Sequence, residues 1–193
     1  MISINKFDEF CVKNKNYIVI VLLILNFLIT STSVVNESVT YDEVCYAGTG
    51  AYILKTGDYS TLSSMGHAVL PFYLNSIFLN FLDIDEKVWK KDCWDRGPEV
   101  IFNSGYDSRF IIFLIRVPFM IISLLLAFYI YRWSTELYGL KAGFLSLFLY
   151  LFNPVIISTS RLALTDLAAA TFFLIATYYF WIFNKKPLLK NLF

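Results

Sequence analysis

Phe-Ile-Ile-Phe-Leu-Ile-Arg-Val-Pro-Phe-Met-Ile-Ile-Ser-Leu-Leu-Leu-Ala-Phe-Tyr-Ile-Tyr, residues 110–131, decides the fold class. It carries a single charge, Arg116, and a single proline, Pro118. A helix rises about 1.5 Å per residue, so a stretch of this length covers the roughly 30 Å of hydrocarbon in a bilayer. Three more runs of the same kind flank it, at 17–35, 140–158 and 167–183. The chain of 193 residues is 58% hydrophobic, 19% aromatic and only 16% charged, with mean hydropathy +0.60. Soluble domains carry about 25% charge. The expected fold is therefore an all-α integral membrane protein of four transmembrane helices.

The run at 17–35 has two readings. Lys13 and Lys15 precede it, as in a signal peptide, but it is long for a signal core and no Ala-x-Ala-like cleavage site follows. A retained first span fits better.

Basic residues near helix ends set the orientation. An N-terminus (1–16) in the cytoplasm puts Lys6, Lys13 and Lys15 there, followed by Arg132 and Lys141 in a short loop at 132–139 and its flank. Lys185, Lys186 and Lys190 then fall in a cytoplasmic tail at 184–193. Every acid except Asp8, Glu9 and Glu136 falls on the other face, in a long external loop at 36–109 and a short one at 159–166. The localisation expected is a multi-pass membrane protein with both termini cytoplasmic. The membrane is the plasma membrane in a prokaryote and the endoplasmic reticulum in a eukaryote.

The long loop holds most of the polar information. Residues 40–54 read as an amphipathic helix, with Val44, Ala47, Gly48, Ala51 and Tyr52 on one stripe and Asp42, Tyr46 and Thr49 opposite. Residues 67–82 are strongly apolar but too short to span before Asp83-Ile84-Asp85-Glu86, so a juxtamembrane interfacial helix is expected. Residues 87–108 contain Gly97-Pro98 and mixed charges, and read as a loop.

Composition excludes some classes. A net charge of +1 without a basic cluster gives no nucleic-acid footprint. One histidine and three cysteines without a C-x-x-C pair give no metal site. Cys45 and Cys93 share the external loop, where a disulfide between them would persist.

Three charged groups stand out. Asp42 and Glu43 lie just past the outer end of the first span, and adjacent helix positions diverge by about 100°, so they cannot address one atom. A partly desolvated carboxylate suits general-base work on a hydroxyl, while the plainer reading is an acid favoured by the helix dipole. Arg161 and Asp166 sit at the outer ends of the third and fourth spans, about 140° apart on a helix, so each should meet a third segment. Asp166 as a helix cap is the plainer alternative. Arg116 lies about 9 Å inside the second span. It can snorkel, pair with an acid or hold a phosphate. His67, opening the interfacial helix, is either a polar cap or a substrate contact.

In order, Asp42-Glu43, His67-Ala68-Val69-Leu70-Pro71, Arg116, Leu137-Tyr138-Gly139, Asn153-Pro154 and Arg161-Leu162-Ala163-Leu164-Thr165-Asp166 resemble the opening of a GT-C glycosyltransferase. The pattern is similar to glycosyltransferase family 39, the protein O-mannosyltransferases and aminoarabinose transferases. The resemblance implies an inverting transferase that moves a sugar, for example mannose, from a polyprenyl (dolichyl-type) phosphate donor to an acceptor hydroxyl outside the cytoplasm. It implies Asp42 as general base, with Glu43 positioning it or binding substrate. Asp166 is then a second acid, and Arg116, Arg161 and His67 are donor or substrate contacts. No cofactor or metal is expected beyond the lipid-linked donor. Ala68 and Val69 stand where that family has prolines, which weakens the assignment of His67. Relatives carry about eleven spans, so this chain is expected to be the N-terminal part, incomplete alone, with a second polypeptide as a candidate partner beside membrane lipid. The alternatives are a non-catalytic four-span remnant or partner subunit, and, with less support, a transporter or channel subunit.

Overall fold

The computed structural model describes residues 3–34, 37–65, 69–90 and 92–185. Regular structure among them is helical: α1 (Ser3–Lys13), α2 (Lys15–Val34), α3 (Tyr41–Thr56), α4 (Ser60–Met65), α5 (Val69–Ser76), α6 (Cys93–Phe102), α7 (Ser108–Tyr138), α8 (Leu140–Leu151), α9 (Pro154–Ser160) and α10 (Thr165–Lys185). Two short 3-10 turns, Leu79–Phe81 and Glu86–Lys90, sit between α5 and α6. The protein is all-α.

Three helices are long and apolar enough to cross a membrane by themselves: α2, α7 and α10. Ile20, Val21, Ile24 and Leu28 on α2, and Phe173 and Phe180 on α10, remain exposed, as side chains facing lipid would be. The third expected span is not one helix. α8 and α9 together pass the same test but are bent by 63°. Pro154 has no N–H for the ladder, and the Asn153 side chain accepts from Val155 N at 2.9 Å, so a new helix starts there. Of the short loops expected, 132–139 is helical up to Tyr138, while 159–166 keeps a four-residue turn at 161–164 between α9 and α10. α7 runs through to Tyr138, because Arg132 Nε bonds Glu136 Oε1 at 3.2 Å one turn on and Tyr178 Oη donates to the same oxygen at 2.7 Å. Gly139, at φ 88°, makes the whole turn into α8. The hairpin closes tightly, since a Cβ on Gly143 would lie 1.9 Å from Thr135 Oγ1.

α7 is the axis of the molecule, packed by α8, α10, α2 and α5. One end of it, through Ile111, Ile112, Ile115 and Phe119, joins a core with Ala47, Ala51, Leu79, Val100 and Ile101. The other end, through Leu126, Ala127 and Tyr131, meets Val19, Leu147 and Leu151. Asn26 Nδ2, buried on α2, donates to Leu151 O at 2.8 Å and ties the first span to the break after α8.

The segment between the first two spans folds into a helical layer over the end of α7. Here the structure departs most from the sequence reading. α3 is not amphipathic in the expected sense: Glu43, Cys45, Thr49, Gly50 and Ile53 are buried as well as Ala47, Gly48 and Ala51. α5 and α6 cover it from two sides, and its small residues make that possible. A Cβ on Gly50 would lie 2.0 Å from Phe72 O, one on Gly48 2.6 Å from Gly97 N, and one on Gly97 2.2 Å from Val44 O. Residues 93–102 are helix rather than loop, because Asp92 caps the end with Oδ1 accepting from Trp94 N and Asp95 N, both at 3.0 Å. The apolar segment expected as one interfacial helix is divided, α5 ending at Ser76 before the 3-10 turn.

Candidate functional site

Asp42 and Glu43 open α3, and their side chains part as adjacent helical positions must. Glu43 is fully buried and Asp42 is exposed.

The Glu43 carboxylate is saturated. Oε1 accepts from Arg116 Nε at 2.8 Å and from Ala163 N at 2.7 Å. Oε2 accepts from Arg116 Nη2 at 2.8 Å, Thr40 N at 2.8 Å and Thr40 Oγ1 at 3.1 Å. The Thr40 bonds make a capping box that starts α3. Burial pushes the Glu43 carboxyl up, but the Arg116 fork, its charge and the two backbone N–H groups outweigh it and hold the group below its ordinary value. Arg116, also fully buried, donates a second bond from Nη2 to Ser38 O at 2.8 Å. Of the three readings of Arg116 from sequence, the acid pair is the one present. Its guanidinium faces Glu43 and Ser38, not a surface where a phosphate would lie.

This buried pair pins a distant loop. Ala163 gives its N–H to Glu43, while its carbonyl accepts from Asn75 Nδ2 at 3.2 Å. The peptide is held from both sides, and the Ala163 side chain is completely buried. A larger residue has no room there. The turn between α9 and α10 is thereby fixed over the opening of α3, and Asp166, exposed in the first turn of α10, is set by it. Arg161, in the same turn, pairs with Glu37 at 2.6 Å and keeps 23% of its side chain exposed. Arg161 thus meets another segment, while Asp166 accepts from its neighbour Thr165 Oγ1 at 3.5 Å.

The charges of Asp42 and Asp166 both bear on Tyr46. Tyr46 is one turn on from Asp42 along α3, half-buried and edge-on to Phe72 at 5.0 Å. Burial raises its phenol above the ordinary value, and the charges of Asp42, Cys45 and Asp166 raise it further. Below Tyr46 lies an apolar cavity of about 350 Å³, walled by Leu70, Pro71 and Phe72 of α5 and by Thr165, Ala168 and Phe172 of α10. Two exposed carboxylates from different helices thus act through their charge on one phenol, and that phenol lines an apolar cavity. Such an arrangement can accept a hydroxyl proton while an apolar group of the substrate is kept from water.

Tyr46 carried a signal in the sequence, since it shares the Asp42 face at helical spacing, but nothing there told it from an ordinary surface tyrosine. His67 lies outside the described residues. Cys45 and Cys93 are buried and free, one on α3 and one on the α6 that packs against it.

Residues 109–193 match the family model described as dolichyl-phosphate-mannose-protein mannosyltransferase. The matched stretch includes Arg116, Asn153-Pro154, Arg161 and Asp166; Asp42 and Glu43 precede it. No curated protein and no solved structure matches the chain.

Proposed function

We propose that this chain, which over residues 109–193 is a partial member of the dolichyl-phosphate-mannose-protein mannosyltransferase family and so of the GT-C glycosyltransferases, carries the acid–base half of a sugar-transfer site. The donor is a sugar on a polyprenyl phosphate, and the acceptor is a hydroxyl on the non-cytoplasmic side. The charges of Asp42 and Asp166 acting together on Tyr46, which lines an apolar cavity between α5 and α10, support this assignment.

Asp42 acts as general base. It takes the proton of the acceptor hydroxyl as that oxygen bonds to the anomeric carbon, and the bond from that carbon to the phosphate oxygen breaks. Polyprenyl phosphate leaves with the electron pair, and the anomeric centre inverts. Asp166, across Tyr46, holds a second hydroxyl of the acceptor or the sugar. Glu43 and Arg116 are positioning residues: they touch no solvent, and they fix both α3 and the turn before α10. Arg161, partly exposed beside Glu37, is the cation placed to meet the donor phosphate.

The test is transfer from a labelled polyprenyl-phosphate sugar in membranes holding the chain. Asp42→Asn lowers transfer by about 10²–10⁴-fold, the usual contribution of a general base, with the protein still membrane-inserted. Undiminished transfer in that variant removes the assignment. Impermeant thiol labelling of a cysteine placed at Asp42 reports the side of the membrane, and labelling from the cytosol alone refutes the orientation.

A further inference from the structure

Cys45 is in the second turn of α3, and Cys93 is the first residue of α6. Both side chains are 4% exposed. The two helices approach backbone to backbone one turn further along, where Gly48 meets Gly97. The two buried thiols lie close enough to influence each other, Cys45 adding to the burial that pushes the Cys93 thiol up. Cys11, the remaining cysteine, precedes the 20-residue α2 that Cys45 follows, which puts the length of that helix, about 30 Å, between them. Oxidation within one molecule therefore has one outcome.

We propose that Cys45 and Cys93 are joined by a disulfide in the mature protein, fastening the helix that carries Asp42 and Glu43 to α6. The bridge depends on the loop layer facing an oxidising compartment, which is the orientation proposed above, and on no step of sugar transfer. The oxidant is a disulfide donor of the thiol-oxidoreductase or oxidised-glutathione class. One cysteine thiolate attacks a donor sulfur and expels a donor thiolate. The second cysteine then displaces the other donor sulfur, so the pair loses two electrons and two protons and the donor becomes two thiols. The timing also follows. Once α3 and α6 are packed, burial pushes the Cys93 thiol up to about 12, which leaves almost no thiolate to react. The bond forms before α6 docks and is then sealed inside.

The closed loop, from residue 45 to residue 93, takes in α4, α5 and both 3-10 turns. Cys45 lies one turn from Asp42, so the bridge holds the proposed base against a second helix at the point where small residues leave least side-chain contact.

The experiment uses the full chain in its native membrane. Membranes are dissolved in SDS containing N-ethylmaleimide, which alkylates every free thiol as the protein unfolds, and the protein is digested without reductant. Mass spectrometry should find a Cys45–Cys93 linked peptide that disappears on reduction, with Cys11 recovered alkylated. Recovery of Cys45 and Cys93 as maleimide adducts overturns the proposal, as does either one linked to Cys11 or to a second chain. The result is independent of activity: absent sugar transfer leaves the linked peptide in place. A cytosolic loop would give two alkylated thiols together with the cytosolic labelling at position 42 described above.

Discussion

Replacing Arg116 with leucine isolates the interaction that holds the site together. Arg116 gives Glu43 two charge-assisted bonds at 2.8 Å in a place where neither side chain touches solvent. In Arg116→Leu, Glu43 keeps Ala163 N and the two Thr40 donors but loses its counter-charge. Removing one partner of a buried pair costs about 3–5 kcal/mol, because the survivor is left charged in a low dielectric. The pH dependence then reverses. In the wild type the folded Glu43 carboxyl lies below its ordinary value, so its contribution is present above the unfolded value and is lost as pH falls through the folded one. Burial is already the largest single influence on Glu43, and without Arg116 only the Ala163 and Thr40 backbone donors oppose it, so the folded value is expected to rise above the unfolded one. The native state then binds the extra proton, and stability falls as pH rises, by up to about 1.4 kcal/mol per pH unit from this group. The assay is reversible unfolding in mixed micelles by SDS titration, followed by helical circular dichroism between pH 4 and 8. A variant as stable as the wild type, or one that loses stability on acidification as the wild type does, would refute the buried-pair account.

Three further outcomes are expected. Gly97→Ala puts a methyl 2.2 Å from the Val44 carbonyl and should cost about 1–3 kcal/mol by overpacking; Gly143→Ala, whose nearest neighbour is the rotatable Thr135 hydroxyl, should cost less in the same SDS titration. Asn26→Leu removes the bond to Leu151 O and should destabilise the bundle by about 0.6–2 kcal/mol in the SDS titration, the range measured for polar contacts between membrane helices. Asp42→Asn should leave the unfolding midpoint within about 0.5 kcal/mol of wild type, because the side chain is exposed; a larger loss would give Asp42 a structural role instead of the proposed catalytic one.

What the sequence determined by itself was the set of elements that lipid dictates. A run such as residues 110–131 has to be a helix, because no other local structure satisfies its backbone in hydrocarbon. The apolar stretches at 17–35 and 167–183 correspond to α2 and α10 for the same reason. The pairing of Asn153 with Pro154 was visible too, although its effect, a 63° bend within the third apolar stretch, depends on how α8 and α9 pack. The divergence of Asp42 from Glu43 also followed from helical geometry alone.

Only the tertiary structure decided which acid is buried and which stays exposed. Side-chain type does not distinguish Asp42 from Glu43. The difference arises because Arg116, Thr40 and Ala163 converge on one of them from three separate segments. The burial of α3 on two faces was hidden for a similar reason. Its glycines and alanines carry little apolar area, and their use appears only where another backbone comes within a Cβ's width. Tyr46 gains its place from Asp166, on a helix far along the chain. Periodicity reports one helix against an average surrounding, whereas the site is made by what particular helices bring to each other.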